Sequence, residues 1–307
     1  MAAAIQRGLD AVDQGDVDVI VSGEFVESVE ELDPDSGPYD TDRGFGTVGA
    51  RTFRRQGQTT VVVNHAVMGE APLDDVERLL AHEGGHAVLH AADEAMPALR
   101  NDRSTSGLAM LRGIASVAIE EYRVERRVLD AGYPEAGLAT TDSLNNRLFD
   151  FSCTVAEATH DPASDDVITF ANLVLIAQHR LTISLSYLAA AVIGGQVSFV
   201  ADQLPNFARP YWTDTFDRSW RARLDLYRRI PAAGTPWGGS LAATHIRQAS
   251  EVEHKLLRDV GFSIQSNDVR PDSRWGFRRT GSNEMFEAQE QRIFAELERR
   301  EAEDKTS

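Results

Sequence analysis

The sequence predicts a mainly helical α+β protein, with a small β-sheet beside one helix that carries a metal-binding motif and a helical C-terminal half. Three observations predict it. Residues 59–64, Thr-Thr-Val-Val-Val-Asn, follow a Gln-Gly turn signal and are β-branched almost throughout, the pattern of a strand. Residues 72–92 carry helix-start signals and apolar residues at helical spacing. From Asp165 onward the chain reads as one helical stretch after another, punctuated by Gly194-Gly195, Pro205, Pro210 and Pro231.

Taken in order, residues 2–13 read as a short helix, and the segment to about Pro38 is acidic and turn-rich. After the strand at 59–64, Pro72 fits the first turn of a helix. Asp74 and Asp75 suit the positive end of its dipole, and Val76, Leu79, Leu80 and Leu89 supply its apolar face. A second helix spans about 107–129 and ends before Gly132 and Pro134. Further helices are expected at 167–183, 184–193, 214–229, 240–259 and 284–302. Two regions follow: residues 1–160, which hold the strand and the first helices, and 161–307 as a helical region without an assigned role.

The bulk numbers narrow the function. A formal net charge of −17 over 307 residues repels a nucleic-acid backbone, and the arginines cluster only locally, at Arg51, Arg54 and Arg55 and at Arg299 and Arg300. A single cysteine, Cys153, excludes an internal disulfide framework and a Cys-rich zinc finger, and is expected to be a small buried residue. The N-terminus turns acidic without an apolar signal core, so the expected location is cytoplasmic. Residues 183–201 carry no charge, but Gly194-Gly195-Gln196 and the Ser and Thr content favour buried helices over a membrane span.

The chemistry resides in His82-Glu83-Gly84-Gly85-His86. Two histidines four apart project from one helical face and can reach one ion. A zinc hydrolase also needs an open coordination position for water and a base to take that water's proton, and Glu83 stands beside the first ligand to do so. Gly84 and Gly85 each cost a helix about 1 kcal/mol relative to Ala, which points to close approach of a backbone or substrate at this turn, the alternative being a locally weak helix that tertiary packing rescues. His90, a further turn of about 5.4 Å along the axis, is too far to share the ion and is expected to support or cap.

The third ligand is then a carboxylate from another helix, and Glu120, Glu121 and Glu125 are the candidates. Ile114, Val117, Glu121, Val124 and Val128 share a stripe, which places Glu121 on the core face. Glu120 falls with Gly113, Ser116, Arg123 and Arg127 on a polar stripe expected to be solvated. The metal set is therefore His82, His86 and Glu121, with zinc as the expected ion. Glu125 is placed to hydrogen-bond a ligating histidine, and an arginine pair is the alternative use of Glu121.

The run Ala81–His90, with Val61–Asn64 before it, resembles the active helix and preceding strand of the ImmA/IrrE-type peptidases, which are gluzincin-like zinc enzymes. That family usually carries a larger apolar residue where Gly84 stands. The resemblance implies that residues 1–160 form a zincin-like metallopeptidase domain that hydrolyses a protein or peptide substrate, with the strand at 61–64 presenting main-chain groups to it. Tyr122, His160, His179, His245 and His254 are the candidates for stabilising the oxyanion, each with a structural role as the alternative. Two other functions stay open: a zinc hydrolase of a non-peptide substrate, and a regulatory or binding protein with a structural zinc site.

Overall fold

The computed structural model describes residues 1–14, 17–34, 38–41, 47–95, 107–137, 140–160, 166–199, 201–265 and 276–305. Among the described residues 67% are helical, with one three-stranded mixed sheet and one two-stranded sheet, the α+β class expected. It divides into two compact units, each assembled from separate stretches. The first takes residues 1–96, 120–135 and 230–239, and the second takes the rest.

In the first unit the elements are α1 (Ala2–Asp10), β1 (Asp18–Ser22), α2 (Phe25–Leu32), β2 (Ala50–Arg55), β3 (Gln58–Asn64), a single turn α3 (His65–Met68), α4 (Leu73–Ala91) and the second half of α5 (Gly107–Asp130). Gln56 and Gly57 both adopt positive φ, 52° and 86°, so the Gln-Gly signal is the two-residue turn of a hairpin joining β2 and β3. The sheet order is β1-β3-β2, with β1 parallel and β2 antiparallel to β3. β3 is the middle strand, and Val61, Val62 and Val63 are fully buried. One face packs Ala50, Val61 and Val63 against Ile5 and Leu9 of α1 and Val76 and Leu80 of α4, and the other packs Phe53 and Val62 against Phe25 and Val29 of α2.

Two elements lie where only an acidic, turn-rich segment was expected. β1 is five residues that begin at Asp18, and it exists because Val19, Ile20 and Val21 pair with Val61, Val62 and Val63, a partnership some forty residues away. α2 is a helix of eight residues. Pro72 proves to be the N-cap of α4, one position before the first turn.

The second unit holds the first half of α5, α6 (Thr141–His160), α7 (Val167–Ile193), α8 (Ala208–Tyr211), a π-helical turn at Trp212–Phe216, α9 (Asp217–Tyr227), nearly all of α10 (Gly239–Asp259), β4 (Phe262–Gln265), β5 (Gly276–Arg279) and α11 (Asn283–Asp304). The expected break at Ser184 is absent, and α7 is one helix of 27 residues. Ser184 and Ser186 donate to the carbonyls of Arg180 and Thr182, so their hydroxyls are satisfied inside the helix rather than ending it.

α7 is long and apolar enough to cross a membrane by composition. Here it packs in the second unit, where Gln178 and Thr182 donate to the buried Glu253 carboxylate of α10, which pairs with Arg223 of α9 at 2.7 Å. α6 was not foreseen. Its stripe of Leu144, Leu148, Phe151 and Val155 is interrupted in sequence by Asn145, Asn146, Ser152 and Thr154, poor helix formers that packing overrides. β4 and β5 form a hairpin ladder that was not expected either.

Candidate metal centre

The site lies wholly within the first unit and is built from α4, α5 and β2. Gly84 and Gly85 let the neighbours of α4 approach. A Cβ on Gly84 would stand 2.5 Å from Val12 Cγ2, and one on Gly85 would stand 2.8 Å from Val124 Cγ1 of α5. Both glycines therefore serve helix packing, and the larger apolar residue of the resembled family would collide with Val12. The contact at Gly85 brings α5 close enough for its carboxylates to meet the histidines of α4.

His82, His86 and Glu121 come together, with one ligand atom from each lying within 4.8 Å of the others, and this group can hold a metal ion. Glu121 Oε2 is 3.3 Å from His82 Nε2, and its Oε1 is 3.7 Å from His86 Nε2. The opposite nitrogen of each ring is held separately. His82 Nδ1 lies 3.3 Å from Glu125 Oε2, and His86 Nδ1 lies 2.9 Å from Glu120 Oε1. An Nδ1–H donated to a carboxylate fixes the tautomer and turns the Nε2 lone pair toward Glu121. The donor set is therefore two imidazole Nε2 atoms and one carboxylate, oriented from behind, which fits a zinc ion.

Behind His82 the support continues outward. Glu125, 1% exposed, is paired with Arg78, one turn before His82 on α4, and Arg78 Nε donates to the Pro134 carbonyl at 2.8 Å. The expected supporting role of Glu125 is what the geometry gives. His90 stands outside the donor group, in the last turn of α4, and burial pushes its pKa down.

Glu120 corrects the sequence reading. The polar stripe of α5 is not solvated: the Glu120 side chain is 15% exposed against 17% for Glu121, Arg123 is fully buried, and Val117 of the apolar stripe is 37% exposed. Periodicity fails here because the polar face is lined with paired charges. Arg123 donates to Glu94 at 2.6 Å and to the carbonyls of Pro231 and Thr235, and its guanidinium lies 4.7 Å over the Trp237 ring. Glu94 in turn accepts from the Trp237 N–H. A segment more than a hundred residues away in sequence is thus clamped to the helix that carries the carboxylates, and nothing in local sequence pattern signals it.

With Glu120 buried against His86, Glu120→Ala is a costly change rather than one on a solvated face. Losing the carboxylate that orients His86 should weaken metal binding by roughly 10- to 100-fold. Chelator competition on the purified variant measures this, and wild-type affinity would show that the His86–Glu120 contact is idle.

Without metal the cluster holds protons instead. Burial lowers the His82 pKa, but the hydrogen bonds and charges of Glu121 and Glu125 outweigh it and raise the value from 6.5 to about 10. His86 moves in the same direction: burial opposes, and Glu120 and Glu121 prevail. A folded-state pKa above the unfolded one means that the native protein binds the extra proton. Its stabilisation is whole below pH 6.5 and is lost as pH rises toward 10.

Metal requires the neutral ring, so its own contribution grows over the same window. In chelator, the melting temperature should therefore fall from pH 6.5 to 9, while the increment gained on adding zinc should rise. A pH-independent increment would remove His82 from the ligand set.

Glu83 is 6% exposed, and its carboxylate accepts a hydrogen bond from Thr52 Oγ1 of β2 at 2.6 Å. The expectation that residues 61–64 present main-chain groups to a substrate is not met, since β3 is hydrogen-bonded on both sides. β2 is the outer strand beside α4. Asn64 N–H donates to the Gly49 carbonyl, so by alternation Ala50, Thr52 and Arg54 turn their main-chain groups away from β3.

Of the oxyanion candidates, Tyr122 is buried in the first unit, whereas His160, His179, His245 and His254 belong to the second and are not brought into the cluster. His160 pairs with Glu290 at 2.7 Å. Cys153 is half-buried, and burial with Glu157 and Asp150 nearby pushes its thiol up to about 11, which leaves it protonated at neutral pH. No family model, curated protein or solved structure matches the chain.

Proposed function

We propose that the protein is a zinc-dependent metallopeptidase in which His82, His86 and Glu121 hold the ion and Glu83 is the general base. The observation that carries this reading is the convergence of the three donor groups on one point, with both imidazoles oriented from behind by Glu125 and Glu120. A glutamate follows the first ligand on the same turn, which a purely structural site has no use for. Zinc bound there would supply the Lewis acidity that lets water give up a proton near neutral pH.

The residues of the chain do the rest. Glu83 accepts the proton of the attacking water and returns it to the departing amine of the cleaved peptide bond. The outer edge of β2, rather than β3, offers main-chain groups to an extended substrate. Such pairing places a backbone beside α4 without regard to side-chain identity, and alternate side chains then decide specificity. Neither nucleic acid nor a membrane enters the reading, and the location proposed is cytoplasmic.

Elemental analysis of the purified protein, together with cleavage of a fluorogenic peptide library, tests this reading. One equivalent of zinc and chelator-sensitive cleavage support it. Zinc held without any peptide cleavage would favour a structural site.

A further inference from the structure

The Thr52 hydroxyl faces two acceptors on one residue. Its Oγ1 is 2.6 Å from Glu83 Oε2 and 3.0 Å from the Glu83 carbonyl oxygen, and a hydroxyl has a single proton to give. The shorter contact has the length of a charge-assisted bond to a carboxylate. Among the described residues no other hydrogen bond holds that carboxylate, so one oxygen is anchored and the other is left to react. Thr52 suits the task mechanically. It sits on a strand paired along its length with β3, and its β-branched side chain is stiff at χ1. A bond from a strand to a helical side chain fixes the carboxylate relative to the sheet as well as to α4.

We infer that Thr52 is the positioning residue for Glu83, holding Oε2 through its hydroxyl so that Oε1 is the proton-accepting atom. The hydroxyl also suits both stages of a proton transfer. It donates to Oε2 while the carboxylate is ionised. Once Glu83 carries a proton, the hydroxyl can accept from it and donate to the Glu83 carbonyl oxygen instead. A valine in this place would fill the same space and offer neither contact. The inference rests on the reading of Glu83 as the base, and its test must separate the two.

Acetohydroxamate serves as the probe. It chelates a metal through its two oxygens, and the proton released when its N–O–H group ionises passes to Glu83 where that carboxylate is placed to take it, and to the buffer where it is not. Its affinity for the Co(II)-loaded protein, read from the visible absorption of the cobalt, therefore reports the base without any substrate. Thr52→Val should bind one equivalent of Co(II) as the wild type does, yet bind acetohydroxamate about tenfold or more weakly. Thr52→Ser, which restores the hydroxyl, should return the affinity to within about threefold of wild type.

Wild-type affinity in Thr52→Val, or no recovery in Thr52→Ser, overturns the positioning role. If Thr52→Val does not fold, Thr52→Ala removes the same hydroxyl and carries the same comparison. Glu83→Gln is the separate control. Undiminished hydroxamate binding in that variant overturns the base itself, whereas a loss there beside wild-type binding in Thr52→Val overturns only Thr52.

Discussion

Glu83→Gln should abolish most hydrolysis, with a fall of roughly 10²-fold or more, while the protein stays folded and keeps its metal. The amide has nearly the shape of the carboxylate, and its oxygen can still accept from Thr52, so the buried contact at 2.6 Å survives. None of the three proposed ligands is touched. What disappears is the capacity to take a proton, because an amide oxygen is far too weak a base near neutral pH. Peptide cleavage by matched preparations of wild type and variant, normalised to bound metal, measures it. Equal rates on every substrate found would remove Glu83 from the chemistry, and a joint loss of metal and activity would make it structural.

The second large effect is expected of Glu121→Ala. Its two oxygens face the Nε2 atoms of both histidines, so the variant leaves two imidazoles without the carboxylate that completes the donor group. Bound metal should fall well below one equivalent after dialysis, and the stabilisation conferred by added zinc should largely vanish. For wild type in zinc at 100 times its dissociation constant, that stabilisation is about 2.7 kcal/mol. Melting curves with zinc and with chelator, compared between the two proteins, give the answer. The diagnostic is the zinc-dependent difference, since removing the carboxylate also breaks its contacts with the rings in the metal-free state. A full zinc-induced shift in Glu121→Ala would place the third ligand elsewhere.

The helix with its two histidines was legible because everything that specifies it is local: a proline at its start, the acidic first turn and the four-residue spacing, with only the place of Pro72 off by one, at the N-cap. Glu121 was chosen through a stripe only partly real, since Val117 of that stripe is exposed. Glu125 was placed correctly by counting one turn onward. Glu120 was misplaced because its partner, His86, lies on another helix, and sequence periodicity cannot distinguish a solvated charge from a buried one with a partner.

The same reason hid β1, whose residues become a strand only through pairing with β3. The two glycines of the motif pointed correctly to close approach, but the approaching groups are the side chains of Val12 and Val124 rather than a substrate.

The clamp around Arg123 has a consequence in time. The guanidinium is fully buried, and its acceptors include carbonyls 108 and 112 residues further along the chain. A ribosome adding about 5–20 residues per second takes roughly 6–22 s to travel that distance. Throughout that interval the nascent chain already carries both histidines and all three glutamates. Arg123, however, has Glu94 but lacks the carbonyls of Pro231 and Thr235 and the face of Trp237, and a guanidinium is costly to bury with only part of its donors satisfied. The clamp behind the carboxylate helix therefore closes only when the segment at 230–239 has been made, so synthesis itself sets the earliest moment at which Arg123 can be fully satisfied.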